Sequence, residues 1–230
     1  MHRLVLWDVD HTLVENSGIS KETYAGAYLR LTGESARFAA RTEGRTDRAI
    51  MRTMFEDHDQ FVPRWPEVEA ALTAAGRERA EALRDRGMAL PGAVEALQAL
   101  AAATGFVQSA LTGNIRANAW MKLHAFGLDK FLDLEVGAYG ADADDRADLV
   151  PVARRRAALA YPERDSYPSV LLIGDTPRDV AAAVANEVQI LAVATGVHGV
   201  DELREAGARE VLEDLADTAS FLGAVQRLIP

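Results

Sequence analysis

Short runs of consecutive apolar residues recur along the chain, and the segments between them carry apolar residues at helical spacing. The first run, Leu4–Trp7, is unbroken and is followed at once by a carboxylate, Asp8. An unbroken apolar run of this length is typical of a strand buried on both faces, as in a parallel sheet. Similar runs are found at 106–111, 134–136, 170–173, 190–193 and 211–212.

Helical patterns fill the intervals between these runs. They are predicted at 93–103, 115–126, 149–161, 179–185, 201–206 and 218–228. Strands and helices in alternation predict an α/β fold in which a Rossmann-like parallel sheet has helices on both faces.

One long segment, residues 16–87, breaks the alternation. It contains three predicted helices, at 20–31, 46–55 and 68–86. Gly76 is the candidate break in the last of them, because glycine costs about 1 kcal/mol in a helix interior. We therefore expect a core domain of residues 1–15 and 88–230 and a smaller α-helical domain of residues 16–87.

The overall composition excludes several classes of function. The net charge is −10, so the chain lacks the basic character on which nucleic-acid binding depends. There is no cysteine, which excludes disulfides, thiolate catalysis and cysteine-ligated zinc. The apolar segments are too short for a signal peptide or a transmembrane helix. We expect a cytoplasmic monomer or homodimer with no nucleic-acid or membrane partner.

Three of the apolar runs end in polar clusters that differ in composition. Residues 8–12 read Asp-Val-Asp-His-Thr, residues 112–114 read Thr-Gly-Asn, and residues 174–179 read Gly-Asp-Thr-Pro-Arg-Asp. Ligands of open parallel sheets bind beyond the carboxyl ends of the strands. We therefore expect these clusters to meet in one pocket.

The chemistry of such a pocket follows from its side chains. The carboxylates of Asp8, Asp10, Asp175 and Asp179 would repel one another without a cation between them. Hard oxygen ligands with vacant positions favour Mg²⁺ over zinc or copper. Residues 112–114 precede a predicted helix, and backbone N–H groups at such a point form an anion-binding arrangement. A pocket that combines carboxylates, a cation and an anion-binding site indicates phosphoryl chemistry.

The three clusters resemble motifs of the haloacid dehalogenase superfamily, in its phosphatase branch. Residues 8–12 are similar to its first motif, residues 112–114 to its second and residues 174–179 to its fourth. The helical segment resembles the C1-type cap of that family. The resemblance also implies a sheet with the strand order 3-2-1-4-5.

The resemblance implies a role for each aspartate. Asp8 would attack phosphorus and form an aspartyl phosphate, and Asp10 would protonate the leaving oxygen and later accept a proton from water. The side chains of Asp8 and Asp175 and the carbonyl of Asp10 would bind Mg²⁺. Asp179 would hold a metal-bound water or orient the basic residue.

Further roles concern phosphate and substrate binding. By the same resemblance, Thr112, Gly113 and Asn114 would bind phosphate oxygens, and Thr12 would brace the loop. Arg45 follows a glycine ahead of a predicted helix and resembles the cap loop that contacts substrate in relatives.

Two positions depart from the family pattern. His11 stands where glycine is frequent, so we interpret it first as a loop residue and second as a substrate contact. The lysine usual in the third motif is missing, and Arg146 is the best substitute because an arginine can pair with the aspartyl phosphate. Arg154, Arg155 and Arg156 are poorer candidates because they lie within the predicted helix.

The predicted function is Mg²⁺-dependent hydrolysis of a small phosphomonoester, with a phosphoglycolate-like substrate as the suggestion. Asp10 favours ester hydrolysis over dehalogenation, which has no leaving alcohol to protonate. The alternatives are a sugar-phosphate mutase or another hydrolase of the family. Phosphonate cleavage would need a reactive cap lysine, and Lys21, close to the linker, is the cap's only lysine. A non-catalytic phospho-acceptor module would need neither Asp10 nor a helical insertion.

Overall fold

The computed structural model describes residues 3–162 and 169–230, and a parallel sheet lies at its centre. The strands in this part of the chain are β1 (Arg3–Trp7), β2 (Val14–Glu15), β3 (Met88–Ala89), β4 (Phe106–Ala110), β5 (Ser169–Gly174), β6 (Gln189–Val193) and β7 (Glu210–Leu212). Five of them form the parallel sheet in the order β4-β1-β5-β6-β7, whereas β2 and β3 form a separate antiparallel pair.

The register of the sheet brings three strand ends level. Trp7 at the end of β1 pairs with Ala110 on one side and with Ile173 on the other. The chain segments that follow β1, β4 and β5 therefore leave the sheet at the same edge.

Helices cover both faces of the sheet. The described residues form the helices α1 (Ile19–Thr32), α2 (Asp47–Asp57), α3 (Trp65–Glu78), α4 (Ala80–Arg86), α5 (Ala93–Ala102), α6 (Arg116–Ala125), α7 (Leu149–Ala160), α8 (Pro177–Ala185), α9 (Val200–Glu205) and α10 (Thr218–Leu228). Of these, α5–α10 pack on the sheet. Val5 and Trp7 pack against α5, α6 and α10. Leu4 and Leu6 pack against α7, α8 and α9 on the opposite face. The alternation of side chains along β1 thus buries both faces, and the predicted α/β fold class is confirmed.

The strand predicted at 134–136 is wrong. Its backbone forms a turn in which Glu135 N–H donates to the Asp133 carboxylate and the Tyr139 hydroxyl donates to the Leu134 carbonyl. An isolated parallel bridge between Leu111 and Ala138 stands beside β4 instead. The strands that form keep the relative order expected from the resemblance, with the bridge at the outer position and β7 at the far edge.

The helical insertion, which we define as α1–α4, lies between β2 and β3. Its own core contains Tyr28, Ile50, Phe55 and Leu72. The break in the last predicted helix comes at Arg79 and not at Gly76, so that prediction is wrong. Gly76 is buried inside α3, where an added Cβ would lie 2.3 Å from the Asn118 side chain of α6. The glycine therefore permits close packing of two helices.

Within the residues that the structure describes, none of the helices is both long and apolar enough to cross a membrane.

Candidate active site

A cavity of about 250 Å³ lies at the edge where β1, β4 and β5 end, under the helical insertion. Most of the site residues predicted from the sequence line it, namely Asp8, Asp10, His11, Arg45, Thr112, Gly113, Asn114, Arg146 and Asp175. The remaining two contact this lining: Thr12 donates to Asp175 at 3.1 Å, and Asp179 lies 2.7 Å from Arg146. The topology thus brings together residues that are far apart in sequence.

One side of the cavity holds three buried carboxylates and one arginine. Oxygen atoms of Asp8, Asp175 and Asp179 all lie within 4.8 Å of one another. The Arg146 guanidinium is 2.9 Å from Asp8 and 2.7 Å from Asp179, and it also donates to the Leu111 carbonyl at 3.3 Å. Its buried Nε atom has no partner among the described residues.

The charges on this side do not balance. Burial raises the pKa of Asp8 to about 6, the neighbouring carboxylates add to the rise, and Arg146 opposes it. Burial and the proximity of Asp8 also raise the pKa of Asp175 well above its usual value. Three carboxylates with one arginine leave an excess of negative charge on hard oxygen donors. This donor set fits a divalent cation such as Mg²⁺.

Local structure fixes these side chains. Asp8 continues the β1 ladder, since its N–H donates to the Ile173 carbonyl at 2.8 Å. Thr176 caps α8, and the Asp179 carboxylate accepts the Thr176 N–H in return. The structural role of Asp179 as a capping residue and its contact with Arg146 are therefore compatible, because the two use different oxygens.

On the other side of the cavity, the carboxylate of Asp10 is paired with Lys122, a lysine behind the cavity wall. The Lys122 ammonium lies 2.7 and 2.6 Å from the two oxygens of Asp10. Asn16 and Asn114 each donate to Asp10 at 2.8 Å. Burial opposes ionisation of Asp10, but Lys122 and these hydrogen bonds outweigh it and lower the pKa of Asp10.

Lys122 is a residue that the sequence interpretation missed. It lies in α6, and only 3% of it is exposed. The apolar positions Ile115, Ala119 and Leu123 recur every four residues, and Asn118 and Lys122 stand directly before the last two. A lysine adjoining a buried helical stripe could have indicated a buried partner.

In the segment after β4, one backbone N–H group makes no hydrogen bond to the described residues. Asn114 donates to the Thr112 hydroxyl through its N–H at 3.3 Å and its side-chain amide at 2.9 Å. The Thr112 N–H donates to the Ala138 carbonyl. In the described part of the chain, the Gly113 N–H donates to no acceptor. An added Cβ at Gly113 would lie 2.0 Å from the Arg45 carbonyl, so glycine permits the insertion to approach this loop.

The other predicted site residues lie at the rim. His11 adopts a left-handed backbone, and its ring lies 3.1 Å from Glu15. Arg45 donates to the Thr53 hydroxyl at 2.9 Å. Arg156, a poorer candidate for the third motif, binds Asp142 instead of the aspartates of the cavity.

Comparison with known proteins agrees with this arrangement. Residues 5–183 match the haloacid dehalogenase-like hydrolase family. The chain belongs to this family. The predicted assignment to the superfamily, and with it the prediction of a hydrolase, is confirmed.

Relatives of this haloacid dehalogenase-like hydrolase extend over nearly its whole length. The chain is 26% identical over 239 residues to "Probable phosphatase IndB" of Dickeya dadantii, covering 99% of this chain and 96% of that protein. A crystal structure of a hydrolase from Pseudomonas syringae is similar with a TM-score of 0.69 and 21% identity, covering 98% and 99% of the two chains. A predicted phosphoglycolate phosphatase from Haemophilus somnus gives a TM-score of 0.64 and 18% identity, covering 96% and 98%.

Proposed function

We propose that this haloacid dehalogenase-like hydrolase is a Mg²⁺-dependent phosphatase that transfers the phosphoryl group of a small phosphomonoester to Asp8. The observation that carries the proposal is the position of Asp8. This carboxylate is buried, lies 2.9 Å from Arg146, and faces a cavity that is also lined by Asp10 and Gly113. The relative from Dickeya dadantii, whose name is "Probable phosphatase IndB", supports the same chemistry.

In the first step an oxygen of Asp8 attacks phosphorus, and the bond from phosphorus to the ester oxygen breaks. Arg146 stabilises the ionised form of Asp8 and holds its carboxylate in place. The leaving oxygen takes a proton from Asp10. A bound phosphate dianion is a like charge close to Asp10, so substrate binding itself favours the protonated form of this acid.

In the second step water attacks phosphorus and the bond to Asp8 breaks. Asp10 accepts the proton of the water and so returns to the form needed for the next cycle. Asp8 and Asp175, with the carbonyl of Asp10, would hold Mg²⁺, which would offset the excess carboxylate charge and the charge of the phosphoryl group. Thr112, Gly113 and Asn114 would bind the phosphoryl oxygens, with the free N–H of Gly113 as one donor.

The helical insertion supports a small, acidic substrate. We assign residues 16–87 as a C1-type cap on a core of residues 1–15 and 88–230. Lys21 and Arg45 contribute cationic side chains to the wall of the cavity, and Glu43 contributes one carboxylate. A volume of about 250 Å³ suits a compact ester, and these two cations would suit a second anionic group on it, as in a phosphoglycolate-like molecule.

The test is phosphate release from a panel of phosphorylated metabolites with Mg²⁺, with EDTA, and with the Asp8→Asn variant. We expect the wild type to release phosphate with Mg²⁺. We expect no release in EDTA and none from the Asp8→Asn variant. Turnover that survives either treatment would refute the mechanism. Formation of an isomerised sugar phosphate without phosphate release would identify a mutase instead.

A further inference from the structure

A buried lysine outside the lining of the cavity has no role in the chemistry described above. Lys122 lies in α6, behind the cavity wall, and its side chain is 4% exposed. Burial of a lysine is costly, and the cost is recovered only when the ammonium is paired and fully hydrogen-bonded. The contacts of Lys122 therefore indicate what the residue does.

The Lys122 ammonium has a complete set of acceptors. It lies within 2.6–2.7 Å of both Asp10 oxygens, 2.7 Å from the Asn114 side-chain oxygen and 2.8 Å from the Ser20 hydroxyl. Three N–H bonds are thus directed at three side chains. These bonds hold the ammonium in one orientation, and the ammonium in turn holds the Asp10 carboxylate in one position.

These acceptors come from three different segments. Asp10 follows β1, Ser20 belongs to the first turn of α1, and Asn114 belongs to the segment after β4. Asn16, in the linker before α1, also donates to Asp10. Lys122 therefore joins the proposed acid, the phosphate-binding segment and the start of the insertion in one network.

We propose that Lys122 is the positioning residue for Asp10: its ammonium holds the carboxylate at the cavity wall in the orientation that meets the leaving oxygen. The inference rests on the proposed function, in which Asp10 is the acid. A fixed acid is more effective than one that samples several rotamers, because the orientation is set before the reaction. Lys122 itself does not touch the substrate.

The leaving group of the substrate separates positioning of an acid from general structural support. The experiment measures kcat/KM, which reports the first step, for a series of phosphate esters from alkyl to 2,4-dinitrophenyl. In Lys122→Met we expect a loss of at least about tenfold for alkyl esters, which need a proton, and less than about threefold for the dinitrophenyl ester, which does not. Lys130→Met, which removes a lysine outside the cavity, is the matched control and should behave as the wild type.

A double-mutant cycle gives a second readout. If Lys122 acts through Asp10, adding Lys122→Met to Asp10→Asn lowers kcat/KM for alkyl esters little further. A loss that is equal for all leaving groups, or additive with Asp10→Asn, would overturn the inference.

Crystal structures of the wild type and Lys122→Met test the inference without any activity. We expect the Asp10 side chain to leave its position beside Asn114 in Lys122→Met and to keep it in Lys130→Met. An unmoved Asp10 would overturn the positioning role. If the wild type releases phosphate from no ester, the proposed function fails, and the crystal structures still decide whether Lys122 positions Asp10.

Discussion

Two carboxylates two residues apart, the buried Asp8 and the partly buried Asp10, each lie against a buried cation, yet their pKa values move in opposite directions. The pKa of Asp8 rises to about 6 although Arg146 lies 2.9 Å away, whereas the pKa of Asp10 falls beside Lys122. The difference lies in the neighbours. Arg146 is shared between Asp8 and Asp179 with Asp175 close by, while Lys122 serves one carboxylate that two asparagines also support.

The two sides of the cavity therefore differ in their balance of positive and negative charge. The side of Asp8, with three carboxylates and one arginine, has a deficit of positive charge that a divalent cation can fill. Asp10, paired with Lys122 alone, has no such deficit and needs no additional cation. Each prediction below tests this division.

The largest effect is expected from Asp8→Asn. The amide cannot act as the nucleophile, so we expect phosphate release to fall at least about ten-thousandfold, as for other residues that form the covalent bond. Steady-state phosphate release measures it, and circular dichroism checks that the fold persists. A variant that keeps a tenth of the activity would remove Asp8 from the mechanism.

Removal of the arginine should cost stability on the crowded side. Arg146→Met leaves Asp8 and Asp179 buried without their cation, which we expect to lower the free energy of unfolding by about 3–5 kcal/mol. Lys122→Met should cost less, because it leaves one carboxylate instead of two without a cation, and the Asp10 side chain is 22% exposed. Urea unfolding at neutral pH compares the two variants, and an equal or reversed order would contradict the count of charges.

The response to Mg²⁺ should differ between the two sides. A ligand that binds only the folded state at 100 times its dissociation constant stabilises it by about 2.7 kcal/mol. We expect Mg²⁺ to raise the thermal midpoint of the wild type and of Asp10→Asn, which keeps its backbone carbonyl, but not that of Asp175→Asn. Thermal unfolding with and without MgCl₂ is the measurement. Retention of the shift in Asp175→Asn would place the cation elsewhere.

Another buried carboxylate, Asp47, tests the comparison at a position where the described residues provide no ion pair. Asp47 accepts the Tyr24 hydroxyl at 2.6 Å and the Ile115 N–H at 2.7 Å. Burial raises its pKa to about 6, these hydrogen bonds and the more distant Lys122 oppose the rise, and Asp10 adds to it. The folded state thus binds the Asp47 proton more tightly than the unfolded state.

The raised pKa of Asp47 determines how the stability of the protein changes with pH. A raised pKa in the folded state means that Asp47 contributes stability at low pH that is lost as the pH rises from about 4 to about 6. Relative to Asp47→Asn, the wild type should therefore lose about 2–3 kcal/mol over this range. Urea unfolding of both proteins at several pH values measures the difference, and a constant difference would contradict it.

Two features could be predicted from the sequence: the fold, and the meeting of the three polar clusters at one edge of the sheet. Both depend on local patterns. Unbroken apolar runs identify buried strands, and the topology of a parallel sheet brings their carboxyl ends together. Helix α10 was predicted with its observed ends, Thr218 and Leu228. The strand at 134–136 failed because three apolar residues are also compatible with a turn whose backbone is bound by side chains.

The partners of the site residues could not be predicted in the same way. Lys122 is buried because the insertion packs against α6, where Asn118 also donates to the Leu72 carbonyl of α3. Gly76 is part of the same interface and for this reason does not end its helix. Such contacts between a helical insertion and the core depend on tertiary packing, which local spacing does not encode.

The most direct test of the account is to trap the phosphoryl group on the protein. In Asp10→Asn, 2,4-dinitrophenyl phosphate should still react because its leaving group needs no proton, whereas hydrolysis of the intermediate should slow without a base. Acid quenching with Mg²⁺ present, borohydride reduction of the acyl phosphate and peptide mass spectrometry locate the modified residue. We predict homoserine at position 8. A burst of dinitrophenol with no modification there, or a phosphoryl group on another residue, would contradict the account.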